Sequence, residues 1–196
     1  MPNPIIIKFG GSLLSDAQNL HHLAQIIAGS PQALIVPGGG PFADLVRHYG
    51  TLLHLSEETC HFMAISAMDQ YGYILREYMP GCRIFSCSPF LAQVPEEELP
   101  RSWDITSDSI AAYIAREMNA SMLIVLKSID IGPHLNEALN EPYVDAFFKN
   151  LLPLPFPCWF INGNFPERLK NLLATGAACG SVLPPNCPPE GLIKNP

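Results

Sequence analysis

A lysine closes a short apolar run, Ile5-Ile6-Ile7-Lys8-Phe9, and the chain passes at once into Gly10-Gly11-Ser12. A strand that empties into paired glycines presents bare backbone N–H groups at its carboxyl end. Such groups cradle anionic oxygens, and an adjacent ammonium adds positive charge. A second turn, Gly38-Gly39-Gly40-Pro41, follows the apolar run Ala33-Leu34-Ile35-Val36. Pro41 suits the first turn of a helix, which sets these glycines at its positive end. Two such loops in one small chain are the equipment for handling two phosphate groups face to face. Transfer of a phosphoryl group needs that arrangement.

Three further segments carry candidate chemistry. Ser102-Trp103-Asp104-Ile105-Thr106-Ser107-Asp108-Ser109 is the densest polar cluster and leads into the apolar Ile110-Ala111-Ala112. Asp108 there either caps a helix or holds a lysine. Trp103 is either core or a platform for a flat substrate. Lys127 ends the run Leu123-Ile124-Val125-Leu126, with Asp130 close behind, at the strand end where open α/β sheets bind ligands. Asp69 interrupts the largely apolar Ala64–Met68 stretch and is a candidate for an acceptor's hydroxyl or amine. His21, His22, His48, His54 and His61 form no ligand spacing, and the six cysteines contain no Cys-x-x-Cys pair. No metal site is expected, and the thiols read as reduced and mostly core. The Walker Gly-Lys-Ser/Thr, the Gly-x-Gly-x-x-Gly fingerprint and the Gly-x-Ser-x-Gly elbow are all missing.

The elements that must position these residues alternate. Strands are expected over Ile5–Phe9, Ala33–Val36, Arg83–Phe85, Met122–Leu126 and Cys158–Ile161, with an antiparallel edge strand at Ser181–Leu183. Helices are expected from the Ser15-Asp16 cap, behind Pro41, from Ser56 to Tyr78, from Asp108 to Met118 and after Pro166. Residues 133–142 read as a loop, followed by a short helix near Val144–Leu151. The pattern is that of an α/β protein with a largely parallel sheet. Residues 1–183 are expected to form one domain and 184–196 a loose Pro-rich extension.

The chain has 196 residues, 48% of them apolar, and a net charge of −7. That charge disfavours nucleic acid and anionic membranes as partners. No apolar run is long enough to span a bilayer and no secretory pattern opens the chain, so a cytoplasmic location is expected.

Taken in order, Lys8–Ser12, Val36–Pro41, Met68–Gly72, Thr106–Ala112 and Val125–Asp130 resemble the amino acid kinase superfamily. Asn162–Leu169 and Gly180-Ser181 resemble its nucleotide-side loop and closing strand. The resemblance implies a three-layer αβα sandwich, use of ATP with Mg²⁺, a small-molecule phosphate acceptor and a homo-oligomer. It implies that Lys8 and Lys127 serve catalysis, with Asp108 orienting them. Lys8, Gly10, Gly11, Ser12, Lys127, Asp130, Asn164 and Arg168 would meet the nucleotide. Gly38, Gly39, Gly40, Asp69, Trp103 and Asp104 would meet the acceptor.

The phrases around Asp69 and Trp103 are most similar to a short branch of methanofuran-type cofactor biosynthesis. It converts an aminomethylfuran-methyl phosphate to its diphosphate. On that likeness Trp103 flanks the furan and Asp69 or Asp104 pairs with the ammonium. Three departures stand out: Asp130-Ile131-Gly132 replaces the usual Asp-Gly, the chain is short, and the family's late lysine has no clear match. Lys127, Arg168 or Lys170 would then substitute. A kinase for another acceptor such as UMP or an amino acid remains a rival reading. So do a non-catalytic nucleotide-binding or storage protein and a regulatory subunit that needs a partner chain.

Overall fold

The computed structural model describes residues 2–131, 143–188 and 193–195. Seven strands form one sheet: β1 (Ile5–Phe9), β2 (Ala33–Pro37), β3 (Arg83–Ile84), β4 (Met122–Lys127), β5 (Cys158–Asn162), β6 (Gly180–Leu183) and β7 (Ile193–Asn195). Their order is β3-β2-β1-β4-β5-β6-β7, parallel through β5 and antiparallel at β5/β6 and β6/β7. β1, β2, β4 and β5 are apolar on both faces, because helices cover both sides of a parallel sheet.

Among the described residues six α-helices follow: α1 (Ala17–Ala28), α2 (Gly40–Leu52), α3 (Glu57–Tyr78), α4 (Cys87–Leu91), α5 (Ser107–Glu117) and α6 (Pro166–Thr175). On one face Ile6, Val36, Leu123, Val125 and Phe160 pack under α5 and a 3-10 turn, Ala146–Leu151. On the other, Ile7, Phe9, Ile124, Leu126 and Ile161 pack under α1 and α6. Helix α3 serves both layers: Ile65 and Met68 belong to the first, Tyr71 and Leu75 to the second. This is the expected αβα sandwich.

Local chemistry explains the element boundaries. Asp16 caps α1 by accepting from the Asn19 N–H at 2.9 Å, and Ser56 caps α3 by accepting from Thr59 N–H. Gly176 ends α6 in a left-handed conformation, φ +77°.

Four expectations are corrected. Gly11–Ser15 forms a 3-10 turn before α1. The short α4 was not foreseen. The strand near residue 181 is antiparallel, but it is not an edge. Residues 193–195 of the Pro-rich extension pair outside it as β7, so the extension is not loose throughout. The loop expected over 133–142, and Gly132 before it, lie outside the described residues.

Register fixes the site. Lys8 pairs with Val36 and Val125, and Phe9 with Pro37 and Leu126. The glycine turns after β1 and β2 and the lysine ending β4 therefore emerge together at the sheet's carboxyl edge.

Candidate active site

Lys8 and Lys127 converge on one carboxylate. Lys8 Nζ lies 2.8 Å from Asp108 Oδ1, and Lys127 Nζ hydrogen-bonds Asp108 Oδ2. Lys8 is 5% exposed and Asp108 is 3% exposed. The Lys8 ammonium and Oδ1 form a close, buried ion pair. An ammonium carries three donors, so Lys8 keeps protons beyond the Asp108 contact that can meet a ligand. Burial alone would raise the Asp108 carboxyl, but the two ammoniums outweigh it and hold it below its ordinary value. Burial lowers Lys8 from the usual lysine value. Asp108 opposes that shift, and the neighbouring Lys127 charge adds to it.

Asp108 is free for this role because another residue caps its helix. Asp145 accepts from the Thr106 N–H at 2.9 Å, the Thr106 hydroxyl at 2.8 Å and the Ser109 N–H at 3.1 Å. It also accepts from the Ser109 hydroxyl and from Phe148 N–H. Burial raises the Asp145 carboxyl. This one side chain ties the amino end of α5 to the 3-10 turn that follows it. The reading of Asp108 as a simple cap is thereby replaced.

The two glycine loops meet backbone to backbone. A Cβ on Gly11 would lie 2.3 Å from Gly40 N, and Gly40 itself has φ +53°. Gly38 N–H donates to Phe9 O at 2.9 Å, linking the two strand ends. Tyr71, fully buried in α3, donates to Gly10 O at 3.3 Å. Gly11, Ser12, Gly39 and Gly40 line a cleft of about 890 Å³ whose wall also holds Lys8, Asp108 and Lys127. Gly10 and Gly38 stand behind this lining as support.

Trp103 and Asp104 line the outer part of the same cleft. The Arg47 guanidinium lies 4.8 Å over the Trp103 ring and is held by Asp44 at 2.7 Å. Asp69 is not at the cleft. Its two oxygens accept from Cys87 N–H at 2.7 Å and Ser88 N–H at 3.0 Å, capping α4. Its expected place beside an acceptor is therefore corrected: the side chain is consumed by the backbone of a helix absent from the sequence reading.

Asp130, Asn164 and Arg168 gather at the carboxyl ends of β4 and β5, beside the cleft. Arg168 pairs with Asp130 and lies 4.4 Å over the Phe165 ring. Asn164 donates to Ser128 O at 2.8 Å, and Ser12 Oγ bonds Ser128 Oγ at 2.9 Å. This second cluster thus touches the first glycine loop. Of the three substitutes considered for the family's late lysine, Lys127 reaches Asp108. Lys170 pairs with Glu167 at 3.1 Å.

The sequence reading missed Asp145, Arg47 and His61. Nothing in spacing links Asp145 to Thr106, 39 residues earlier. Arg47 lies three residues after Asp44 on α2, a pairing distance on a helix, and that was a usable signal. His61 is buried at 6% exposure yet lines the cleft.

Residues 3–89 match the model of the amino acid kinase family. The chain is 29% identical over 198 aligned positions to the [5-(aminomethyl)furan-3-yl]methyl phosphate kinase of Methanocaldococcus jannaschii, covering 86% of this chain and 92% of that one. Its fold resembles uridylate kinase from Archaeoglobus fulgidus, with TM-score 0.67, 18% identity, and coverage of 89% and 97% of the two chains. It also resembles UMP kinase from Ureaplasma parvum, with TM-score 0.60, 17% identity, and coverage of 91% and 97%. The family model thus covers the amino-terminal part of the chain, and the likeness of fold to these kinases runs through nearly the whole of it.

Proposed function

We propose that this protein is an ATP-dependent small-molecule kinase whose acceptor already carries a phosphate, of the aminomethylfuran-methyl phosphate type. The observation that carries the reading is the Lys8–Asp108–Lys127 cluster at the junction of two touching glycine loops. The curated relative, named for action on such a phosphate, supports the acceptor class.

In this reading the nucleotide enters over Gly11 and Ser12, near Asp130, Asn164 and Arg168. The acceptor phosphate lies against Gly39 and Gly40. An acceptor phosphate oxygen forms a bond to the γ-phosphorus as the bond to the ADP oxygen breaks, with no covalent enzyme intermediate. Lys8 and Lys127 neutralise charge on the transferring group, and Asp108 fixes where both ammoniums point. Among the described residues no group of three His, Cys, Asp or Glu side chains is placed to hold a metal ion. Mg²⁺ would enter on the ATP oxygens, where it supplies charge neutralisation. Among the described residues no helix is long and apolar enough to cross a membrane.

Purified protein incubated with ATP and either aminomethylfuran-methyl phosphate or UMP tests the reading through ADP release. Release with the furan substrate above the acceptor-free background is expected. Release with neither acceptor overturns the kinase assignment; release with UMP alone overturns the acceptor class.

A further inference from the structure

We propose that Asp104 and His61 are the specificity pair of this cleft, receiving a protonated primary amine on an acceptor whose phosphate end faces Lys8 and Lys127. The inference rests on the kinase reading above for the direction in which the acceptor lies.

The cleft is chemically two-ended. Its floor presents the two ammoniums, which attract anions. Its mouth presents acceptors. The Asp104 carboxylate has no hydrogen-bond or ion-pair partner among the described residues, although it lines the cleft. Asp104 is held in place through its backbone: its N–H donates to Ser102 Oγ at 3.2 Å and its carbonyl accepts from Phe147 N–H at 3.1 Å. The carboxylate is thus positioned without being neutralised.

Arg47, on the same cleft wall, does not satisfy it. Arg47 is held by Asp44 and lies over Trp103. Trp103 therefore has one face occupied by a guanidinium, which restricts stacking by an acceptor to what that contact leaves open.

His61 supplies the second group. Helix α3 carries it inward to the Ser102 backbone, and its ring lines the cleft while almost wholly buried. Burial lowers its proton affinity; the nearby Arg101 charge adds to that effect, while the Ser102 backbone and Glu96 oppose it. A neutral imidazole keeps one ring nitrogen as a hydrogen-bond acceptor. An ammonium ion carries three donors and a charge. A carboxylate and a neutral imidazole answer both, whereas a hydroxyl on the acceptor would leave the carboxylate's charge unanswered.

Isothermal titration of the protein without ATP provides the test. The two probes are aminomethylfuran-methyl phosphate and the same compound with a hydroxyl in place of the amine. The native chain should bind the amine probe roughly tenfold to a hundredfold more tightly, the range of a charge-assisted hydrogen bond. Asp104→Asn, at an exposed position, should erase most of that ratio, and Asp104→Glu should restore part of it. His61→Gln, which keeps an acceptor oxygen, should retain more of the ratio than His61→Leu. Melting temperatures identify any variant that fails to fold, and the Asp104 variants carry the test if the buried His61 ones do. A native chain with no preference for the amine, or binding neither probe, overturns the proposal, as does an undiminished ratio in Asp104→Asn. Tight, amine-selective binding without ADP release would instead strike the kinase reading and leave this one standing.

Discussion

Lys8–Asp108–Lys127 and Arg168–Asp130 use the same chemistry at the same edge of the sheet, and water treats them differently. In the first, the Asp108 side chain is 4% exposed; in the second, the Asp130 side chain is 60% exposed. The first is enclosed by the strands β1 and β4 and by the start of α5. The second projects from loops after β4 and β5. Screening by water leaves an exposed pair little net stability, whereas breaking a buried pair strands a charge in an apolar setting. The buried cluster therefore holds its geometry without a ligand. The outer pair can open to meet one at small cost.

The strongest way to break this contrast is Asp108→Asn. It leaves the buried Lys8 ammonium and the half-buried Lys127 ammonium facing each other without a counter-charge and should cost about 3–5 kcal/mol, read from the denaturant midpoint. Lys8→Ala should be milder for folding, because Lys127 still answers Asp108. Its effect should fall on turnover, by roughly a hundredfold to a thousandfold, as for a lost transition-state stabiliser. Near-native turnover in that variant would remove Lys8 from the mechanism.

Gly11→Ala probes the loop contact that sets the cluster's rim. Its Cβ would meet Gly40 backbone at 2.3 Å, and backbone cannot yield as a flexible side chain does. The strain should cost about 1–3 kcal/mol and depress turnover further by separating the loops. A melting curve and ADP assay unchanged from the native chain would contradict the close approach.

Acidity sharpens the contrast. Burial lowers the Lys8 proton affinity, so its ammonium discharges at a pH below that of an ordinary lysine. The alkaline limb of kcat/KM, which reports the free enzyme, should lie correspondingly below the usual lysine range. Lys8→Arg should move that limb upward if any activity remains, since guanidinium does not titrate there. An alkaline limb at the ordinary lysine value would show the site to be wetter than its geometry.

Arg168→Ala should give the smallest effect. Loss of an exposed pair should change stability by less than about 1 kcal/mol, and by less again at high salt. A loss comparable to that of Asp108→Asn would erase the distinction between the two regions.

Legibility in the sequence followed the range of the interactions. The β1–Gly10 and β2–Gly38 transitions were readable because apolar runs and glycine pairs are local signals. Asp16 as a cap was readable for the same reason, since a cap bonds within three residues of itself. Asp69 was misplaced because its partners lie 18 and 19 residues away on a helix too short to leave a periodic trace. Asp145 was missed because it caps a helix that begins far upstream. His61 looked isolated because the backbone it meets is that of Ser102, which folding alone brings beside α3.

By itself the sequence determined the layered α/β plan, since parallel strands buried on both faces need continuous apolar runs and helices between them. It also determined that a lysine would stand near the carboxyl end of β1 and another at the end of β4, each beside groups able to hold phosphate. Only the tertiary structure decided that both lysines share one buried carboxylate and that the glycine loops touch. It also decided that Asp69 serves α4 while Asp104 remains open to the cleft. Such pairings depend on register and on the exclusion of water. Neither quantity is carried by any one stretch of chain.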